Sequence, residues 1–363
     1  MKLRALSCVS VITLLTALAI SGQVSAKEPI AKHAVFISID APGAFLTFPT
    51  GINSAGVIAG NALFASNDTS GRILRGFVRA RDGTFTIFDA PNVGVDGTWP
   101  ASINSAGEIT GNYYDANNNA HGFLRNPDGV ITVLDGPGAL ETYAVGINET
   151  GTITGGFQVN SDGSGHAFLR SPDGQYTLFD VPPEVGTHTV PSGINAAGAV
   201  TGSFTDRNFN YGGFVRTADG TFSYFYAPNG GQIATPGLSI DSGGDVTGWY
   251  WDRNGTYGFV RTADGTFSAL NAPRNIACVP TSINPAGDIT GSCFVNQIFG
   301  AFWGAFVQER NGRFFRLDVP STIYDVAPSS INSAGEITGT YYLNPGSVGY
   351  SHAFLRTWRR KKH

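Results

Sequence analysis

Ser102-Ile103-Asn104-Ser105-Ala106-Gly107-Glu108-Ile109-Thr110-Gly111 decides the fold, because the same phrase returns at 330–339 and in variants between. Its Asn, or a substitute, falls at Asn53, Asn104, Asn148, Asn195, Asp241, Asn284 and Asn332, at intervals of 43 to 51 residues. The phrase reads as a hairpin. Asn tolerates and Gly supplies the left-handed backbone of a tight turn, and the flanking isoleucines then pair across two strands.

Working outward, each hairpin is followed by a Gly/Ala-Phe-Leu/Val strand centred on Phe77, Phe123, Phe168, Phe214, Phe259, Phe306 or Phe354. Turns such as Pro127-Asp128-Gly129 and Ala218-Asp219-Gly220 come next. An alternating strand then closes on Pro42, Pro91, Pro137, Pro182, Pro228, Pro273 or Pro320. Proline cannot donate to a ladder, so it ends the sheet there. Every repeat therefore holds four short antiparallel strands, here A to D, in about 45 residues, the pattern of a propeller blade. The reading is all-β: one seven-bladed β-propeller spanning 27–357. Val35–Pro42 reads as a D strand with no A, B or C before it, and 331–356 as A, B and C with no D after them. The N-terminal strand is thus expected to complete the last blade and close the ring, an arrangement an open solenoid would not need.

Composition agrees. Of 363 residues 48 are Gly and only 14% are charged, so the chain is poor in helix formers and rich in turn and strand formers. Residues 1–26 read as a signal peptide: Lys2 and Arg4, an uncharged apolar run from Ala5 to Ile20, then Val24-Ser25-Ala26 as the cleavage site. The apolar run is short for a membrane span, so a secreted or periplasmic chain without a membrane span is expected. Removing that leader takes two of the 23 basic residues and leaves 21 against 27 acidic ones, a net charge of −6. A basic tail, 358–363, holds four of those cations, so the folded body is more acidic still and is not expected to bind nucleic acid. A monomer is expected.

His166-Ala167-Phe168-Leu169-Arg170 and His352-Ala353-Phe354-Leu355-Arg356, each tied to the Asp-Gly turn pattern, resemble the bacterial extracellular repeats called the HAF family. The resemblance covers essentially the whole mature chain. It implies export and repetition, and carries no catalytic residues onto positions here.

Candidate chemistry is sparse. His121, His166 and His352 share one repeat position, held elsewhere by Arg75, Gly212, Tyr257 and Gly304, so they read as inherited repeat residues rather than a metal triad. His188 beside Glu184 reads as part of a D–A loop. The acids ending strand D (Asp40, Asp89, Asp135, Asp180, Asp318) read as turn residues, with Tyr226 and Asn271 breaking the series. Asp115-x-Asn117-x-Asn119 and Asp206-x-Asn208-x-Asn210 imitate the first half of a calcium loop but lack its Gly and distant Glu. No cofactor is expected, with calcium as the one candidate.

Cys278 and Cys293 flank an A–B hairpin. Counted outward from an inner pair of Ile283 and Asp288, they stand opposite each other unless a bulge intervenes, and in an exported chain they should form a disulfide. The most binding-like stretch is Trp249-Tyr250-Trp251-Asp252. Alternation puts both tryptophans on one face, offering rings for carbohydrate stacking, with Trp99 and Tyr143 expected in D–A loops on the same end of the ring. The function expected is a non-catalytic propeller binding a glycan or cell-surface component through its D–A and B–C loops. The alternatives are a polysaccharide lyase or hydrolase with acids in the central funnel, and a purely structural surface protein.

Overall fold

The computed structural model describes residues 34–66, 71–160, 165–233, 238–270, 277–297, 300–317, 320, 325–343 and 351–358. The expected leader, residues 359–363 of the basic tail, Asn271, Pro273 and Asp318 lie outside them. Within them the chain is all-β apart from one short 3-10 turn, Pro228–Gly230.

Seven antiparallel sheets follow one another along the chain. In blade 3 the strands Glu141–Ile147, Ile153–Gln158, Gly165–Arg170 and Tyr176–Phe179 pair in that order as A, B, C and D. The A strand of blade 5 is described as two pieces, Gln232–Ile233 and Ser239–Ile240, both paired to Val246–Asp252. Blade 7 takes A, B and C from Asp325–Ile331, Ile337–Tyr342 and His352–Trp358, and its D strand is Ala34–Ser38 from the other end of the chain. The closing register runs from Ala34 opposite Trp358 to Ser38 opposite Phe354. The ring is shut by the N-terminal strand, and its last strand reaches one residue past the expected boundary.

The repeated phrases earn their conservation within the chain by packing. All seven C-strand phenylalanines are at most 1% exposed and fill the wedges between blades. The Gly of the Thr-Gly pair makes room: a Cβ on Gly111 would run into the backbone oxygen of Trp99. Three of the arginines that follow those phenylalanines reach back over the preceding blade. Arg125 lies 4.8 Å over Phe88, Arg216 4.9 Å over Phe179 and Arg261 5.1 Å over Phe225. Burial lowers the pKa of each guanidinium, only partly offset by a nearby aspartate, yet all remain cationic.

The turn chemistry differs from expectation. The left-handed residue of the A–B turn is the Gly (Gly107, φ 84°), and none of the repeat asparagines has positive φ. The Asn side chain serves instead as an acceptor and a tether. Asn53 Oδ1 accepts the N–H groups of Ala55 and Val57, while its Nδ2 donates to the carbonyl of Asn104 in the next blade at 3.0 Å. The same bridge joins Asn104 to Asn148, Asn148 to Asn195, Asn195 to Asp241, Asn284 to Asn332, and Asn332 back to Asn53. These asparagines are buried, so the bridges run around the ring shielded from water.

The A–B register also carries a correction. The inner pair of the blade 6 hairpin is Ile283 and Ile289, not Ile283 and Asp288, and a bulge at Thr281 then shifts the ladder by one residue. The two departures cancel, Cys278 faces Cys293, and the disulfide is present. A similar shift recurs after Pro49, Pro100, Ala144, Pro191 and Pro328. The bulge belongs to the repeat.

Candidate functional site

Strand B of blade 5 carries the expected tryptophans, and alternation sorts it as anticipated. Tyr250 points into the core against Tyr257 and Phe267, with ring centroids 5.3 and 6.0 Å away. Trp249 and Trp251 take the other face with centroids 5.8 Å apart; Trp249 is half-buried and Trp251 is 37% exposed. A third ring, Tyr211 from the start of strand C in blade 4, lies 6.1 Å from Trp251 and extends the run across a blade boundary. Gln232 stands opposite Trp251, accepts the Tyr211 N–H at 2.6 Å and donates to Asn210 Oδ1 at 3.3 Å. Three partly open aromatic faces are thus bordered by amide groups, the chemistry that takes the apolar face and the hydroxyls of a sugar.

The hairpin leading into Tyr211 adds to this surface. Phe209 occupies its left-handed turn position (φ 63°) and is 85% exposed. Beside the same hairpin is an open cavity of about 510 Å³ lined by Glu184, Asp206, Arg207, Asn208, Tyr224 and Tyr226, among others. Arg207 is held by the Pro183 carbonyl at 2.8 and 3.0 Å. Burial raises the pKa of both tyrosines, aided by Glu184 for Tyr224 and Asp206 for Tyr226, so both stay neutral donors. In the sequence, residues 206–210 stand out only as a calcium-like pattern. Tyr211, Phe209 and Gln232 went unread because their grouping depends on two blades meeting.

The remaining expected site residues are placed elsewhere. Trp99 and Tyr143 lie inside A strands, opposite Asn112 and Gly156, rather than in D–A loops. Those connections are tight turns, and the chain re-enters the sheet at once: the Ala139 N–H already bonds the Gly136 carbonyl and Leu140 bonds Gln158. Trp99 donates its indole N–H to Asp96 O at 2.6 Å, and Tyr143 gives its hydroxyl to Glu141 at 2.8 Å. Burial, then that carboxylate, raises the Tyr143 pKa far above its ordinary value. Neither ring has a recorded contact with the Trp249–Trp251 pair among the described residues. Asp252 caps its own turn, accepting the N–H groups of Asn254 and Gly255 at 2.7 and 3.1 Å. His188 also sits in a strand, Gly186–Ile194, with φ 52°.

The recurring histidines and D-strand acids turn out to be one feature. His121 Nδ1 meets Asp135 at 2.9 Å, His166 meets Asp180 at 2.7 Å, and His352 meets Asp40 at 2.8 Å across the ring closure. In blade 1 Arg75 replaces the imidazole and binds Asp89 through two nitrogens at 2.6 and 3.0 Å. Asp40 and Asp180 also accept the N–H of Ala353 and Ala167, so these acids join strands C and D rather than simply turning the chain. The sequence held the signal. In blade 4 Gly212 replaces the cation and Tyr226 the acid, so the pair is lost together.

In the calcium-like loops, Asp115 Oδ1 accepts the N–H groups of Asn117 and Asn119, and Asp206 Oδ1 those of Asn208 and Asn210. For Asp115 the Asn119 N–H is the largest influence and lowers the pKa; for Asp206 burial is the largest and raises it, but the bonds from Asn210 and Asn208 outweigh it, so both carboxylates titrate below the usual value. Each is a turn stabiliser. No group of three His, Cys, Asp or Glu side chains is arranged to hold a metal among the described residues. The A strands of all seven blades line an axial cavity of about 230 Å³ with Ser, Thr, Gly and aliphatic side chains. The D-strand acids Asp135 and Asp180 lie out at the junction of strands C and D, and among the described residues the axial cavity has no carboxylate in its lining.

No family model and no curated protein matches the sequence. Solved structures do. The acylaminoacyl peptidase of Pyrococcus horikoshii is 8% identical with a TM-score of 0.59, over 90% of this chain and 54% of that one. The β-propeller domain of the Trilobed protease from Pyrococcus furiosus is 7% identical with a TM-score of 0.58, over 87% and 97%. Puromycin hydrolase is 13% identical with a TM-score of 0.56, over 84% and 53%. The chain spans about half the length of both hydrolytic enzymes. At such identities the likeness is one of fold alone.

Proposed function

We propose that this chain is an exported, non-catalytic propeller of the HAF type that binds a glycan or another surface component, with Tyr211, Trp251 and Trp249 as the contact run. The observation that carries the reading is the partly open Trp251 set between a second tryptophan and a tyrosine from the neighbouring blade. Packing alone does not call for it, because Tyr250 already fills the wedge on the opposite face. The amides of Gln232 and Asn210, which bond each other and the Tyr211 N–H, border the run and support a polar rim for it. Export is supported by the disulfide, a bond characteristic of oxidising compartments, and no helix among the described residues is long and apolar enough to cross a membrane.

The test is a glycan array probed with residues 27–363, in calcium and again in chelator, followed by titration of any ligand found. Trp251→Ala and Tyr211→Ala should each weaken binding by about tenfold, the worth of one stacked ring. Retained affinity in both variants, or a clean negative on the array, overturns the glycan reading. Loss of binding in chelator would move the site to the Asp115 and Asp206 hairpins.

A further inference from the structure

The buried ring of side-chain bridges has one irregular member. At six blade junctions an Asn Nδ2 donates to the backbone carbonyl of the equivalent residue in the next blade, at 2.9 to 3.3 Å. At the seventh, between blades 5 and 6, the repeat position is Asp241, and a carboxylate has no proton to give to Asn284 O.

Asp241 otherwise behaves as its neighbours do. Its Oδ1 accepts the N–H groups of Gly243 and Asp245, both at 2.8 Å, as Asn53 Oδ1 accepts those of Ala55 and Val57. Its backbone carbonyl receives the amide of Asn195. That leaves Oδ2 in the place where the others carry their NH₂ group. The side chain is 0% exposed, and Oδ2 is buried without a hydrogen-bond partner. An ionised oxygen there would face a carbonyl oxygen out of reach of water, which is the costly arrangement.

We propose that Asp241 is a protonated carboxylic acid in the folded protein, its Oδ2–H donating to Asn284 O and completing the seventh bridge. The charged groups around it are few. Asp245, on its own hairpin, opposes ionisation. From blade 6, Arg310 favours ionisation but keeps its closer bond for Asp245, at 3.0 Å against 3.8 Å to Asp241 Oδ2. Asp288 lies behind Arg310, accepting its backbone N–H at 3.3 Å. Blade 4 presents the neutral Asn195. Desolvation is the largest influence and raises the Asp241 pKa; the Asp245 carboxylate adds to the rise, while the N–H groups of Asp245 and Gly243 and the charge of Arg310 oppose it without cancelling it. The junction is therefore a pH-sensitive fastening: closed in acid, opened as the carboxyl ionises.

The sign follows from linkage. A carboxyl whose folded pKa is raised contributes stability that is full below its unfolded value and is lost as pH rises through the folded one. Asp241→Asn restores the repeat residue and donates at every pH. The expected result is equal stability for the two proteins near pH 3.5, with the variant gaining up to about tenfold in folding constant per pH unit above the ordinary carboxylate pKa. Infrared spectra of the folded wild type near pH 5 should show a protonated-carboxyl band that Asp241→Asn lacks. A variant less stable than wild type at neutral pH would mean that Asp241 is ionised and paired with Arg310, and would overturn the proposal. So would a pH-independent difference, or the absence of that band.

Discussion

Asn53→Ala tests whether the asparagine bridges hold the ring together. The side chain makes three bonds from a site 5% exposed: it donates to Asn104 O at 3.0 Å and accepts the N–H of Val57 at 2.9 Å and of Ala55 at 3.1 Å. Alanine removes all three. Ala55 is exposed, so water can satisfy its N–H. The carbonyl of Asn104 keeps the Gly107 N–H at 3.0 Å, so its loss is the bridge alone, whereas the half-buried Val57 N–H is left short of a partner. At about 1–3 kcal/mol for the stranded N–H and about 1 kcal/mol for the lost bridge, the cost comes to roughly 2–4 kcal/mol, a large share of the 5–15 kcal/mol typical of a folded domain. Urea unfolding followed by tryptophan fluorescence measures it, with the exposed Thr86→Ala as a control expected within about 0.5 kcal/mol of wild type. Asn53→Asp should fall between the two at neutral pH, since it keeps the acceptor and loses the donor. If Asn53→Ala is as mild as the control, the bridges are replaceable by water and the ring rests on its phenylalanines alone.

Replacing Cys278 and Cys293 together by Ala should lower stability by up to about 3 kcal/mol, as expected for a closed loop of 15 residues, and reductant should do the same to wild type and nothing to the variant. Glu336 should govern the acid limb. Burial alone would raise its pKa, but hydrogen bonds from Asn332 and Thr357 and the charge of Arg81 outweigh this and hold it below the ordinary value. Its contribution is thus present above the unfolded carboxylate pKa and lost as pH falls through the lower folded value. Arg81→Gln, removing a half-exposed partner, should cost about 0.5–1 kcal/mol at pH 7 and move the acid unfolding midpoint upward; an unmoved midpoint would show that Arg81 does not act on Glu336.

The architecture was legible because a propeller writes its pattern seven times, and phase at the two ends shows how the ring closes. The disulfide was legible only through compensation. A regular-ladder count from Ile283 and Asp288 starts one residue off, and the bulge at Thr281 returns that residue. Prolines at 49, 100, 191, 280 and 328 mark the bulge, since each sits where the register shifts, but turn rules alone do not point to it. The asparagines were read as turn formers, and their second role needs a neighbouring blade to be seen. The same holds for Tyr211 beside Trp251. The His–Asp pairs were within reach: His121 and Asp135, and His166 and Asp180, stand fourteen residues apart, and cation and acid vanish together at Gly212 and Tyr226. Composition held no sign of which aromatic rings stay open to solvent, because that depends on which of them the wedges between blades leave over.

The strand Ala34–Ser38 is the first of the described strands to be synthesised and pairs only with the last, His352–Trp358. Until that strand arrives it has no partner in its own chain, and until the two meet the outer edge of the seventh sheet stands bare. Contacts across more than 300 residues are slow to form, so this interval is long compared with the folding of any single blade. During it the two loose edges are complementary not only to each other but to the same edges on every other newly made copy. Closure within one chain and exchange between chains are therefore competing reactions, and the number of copies waiting nearby sets which one wins. Dilution during refolding favours the closed monomeric ring, and crowding favours strand-swapped assemblies built from the same hydrogen bonds.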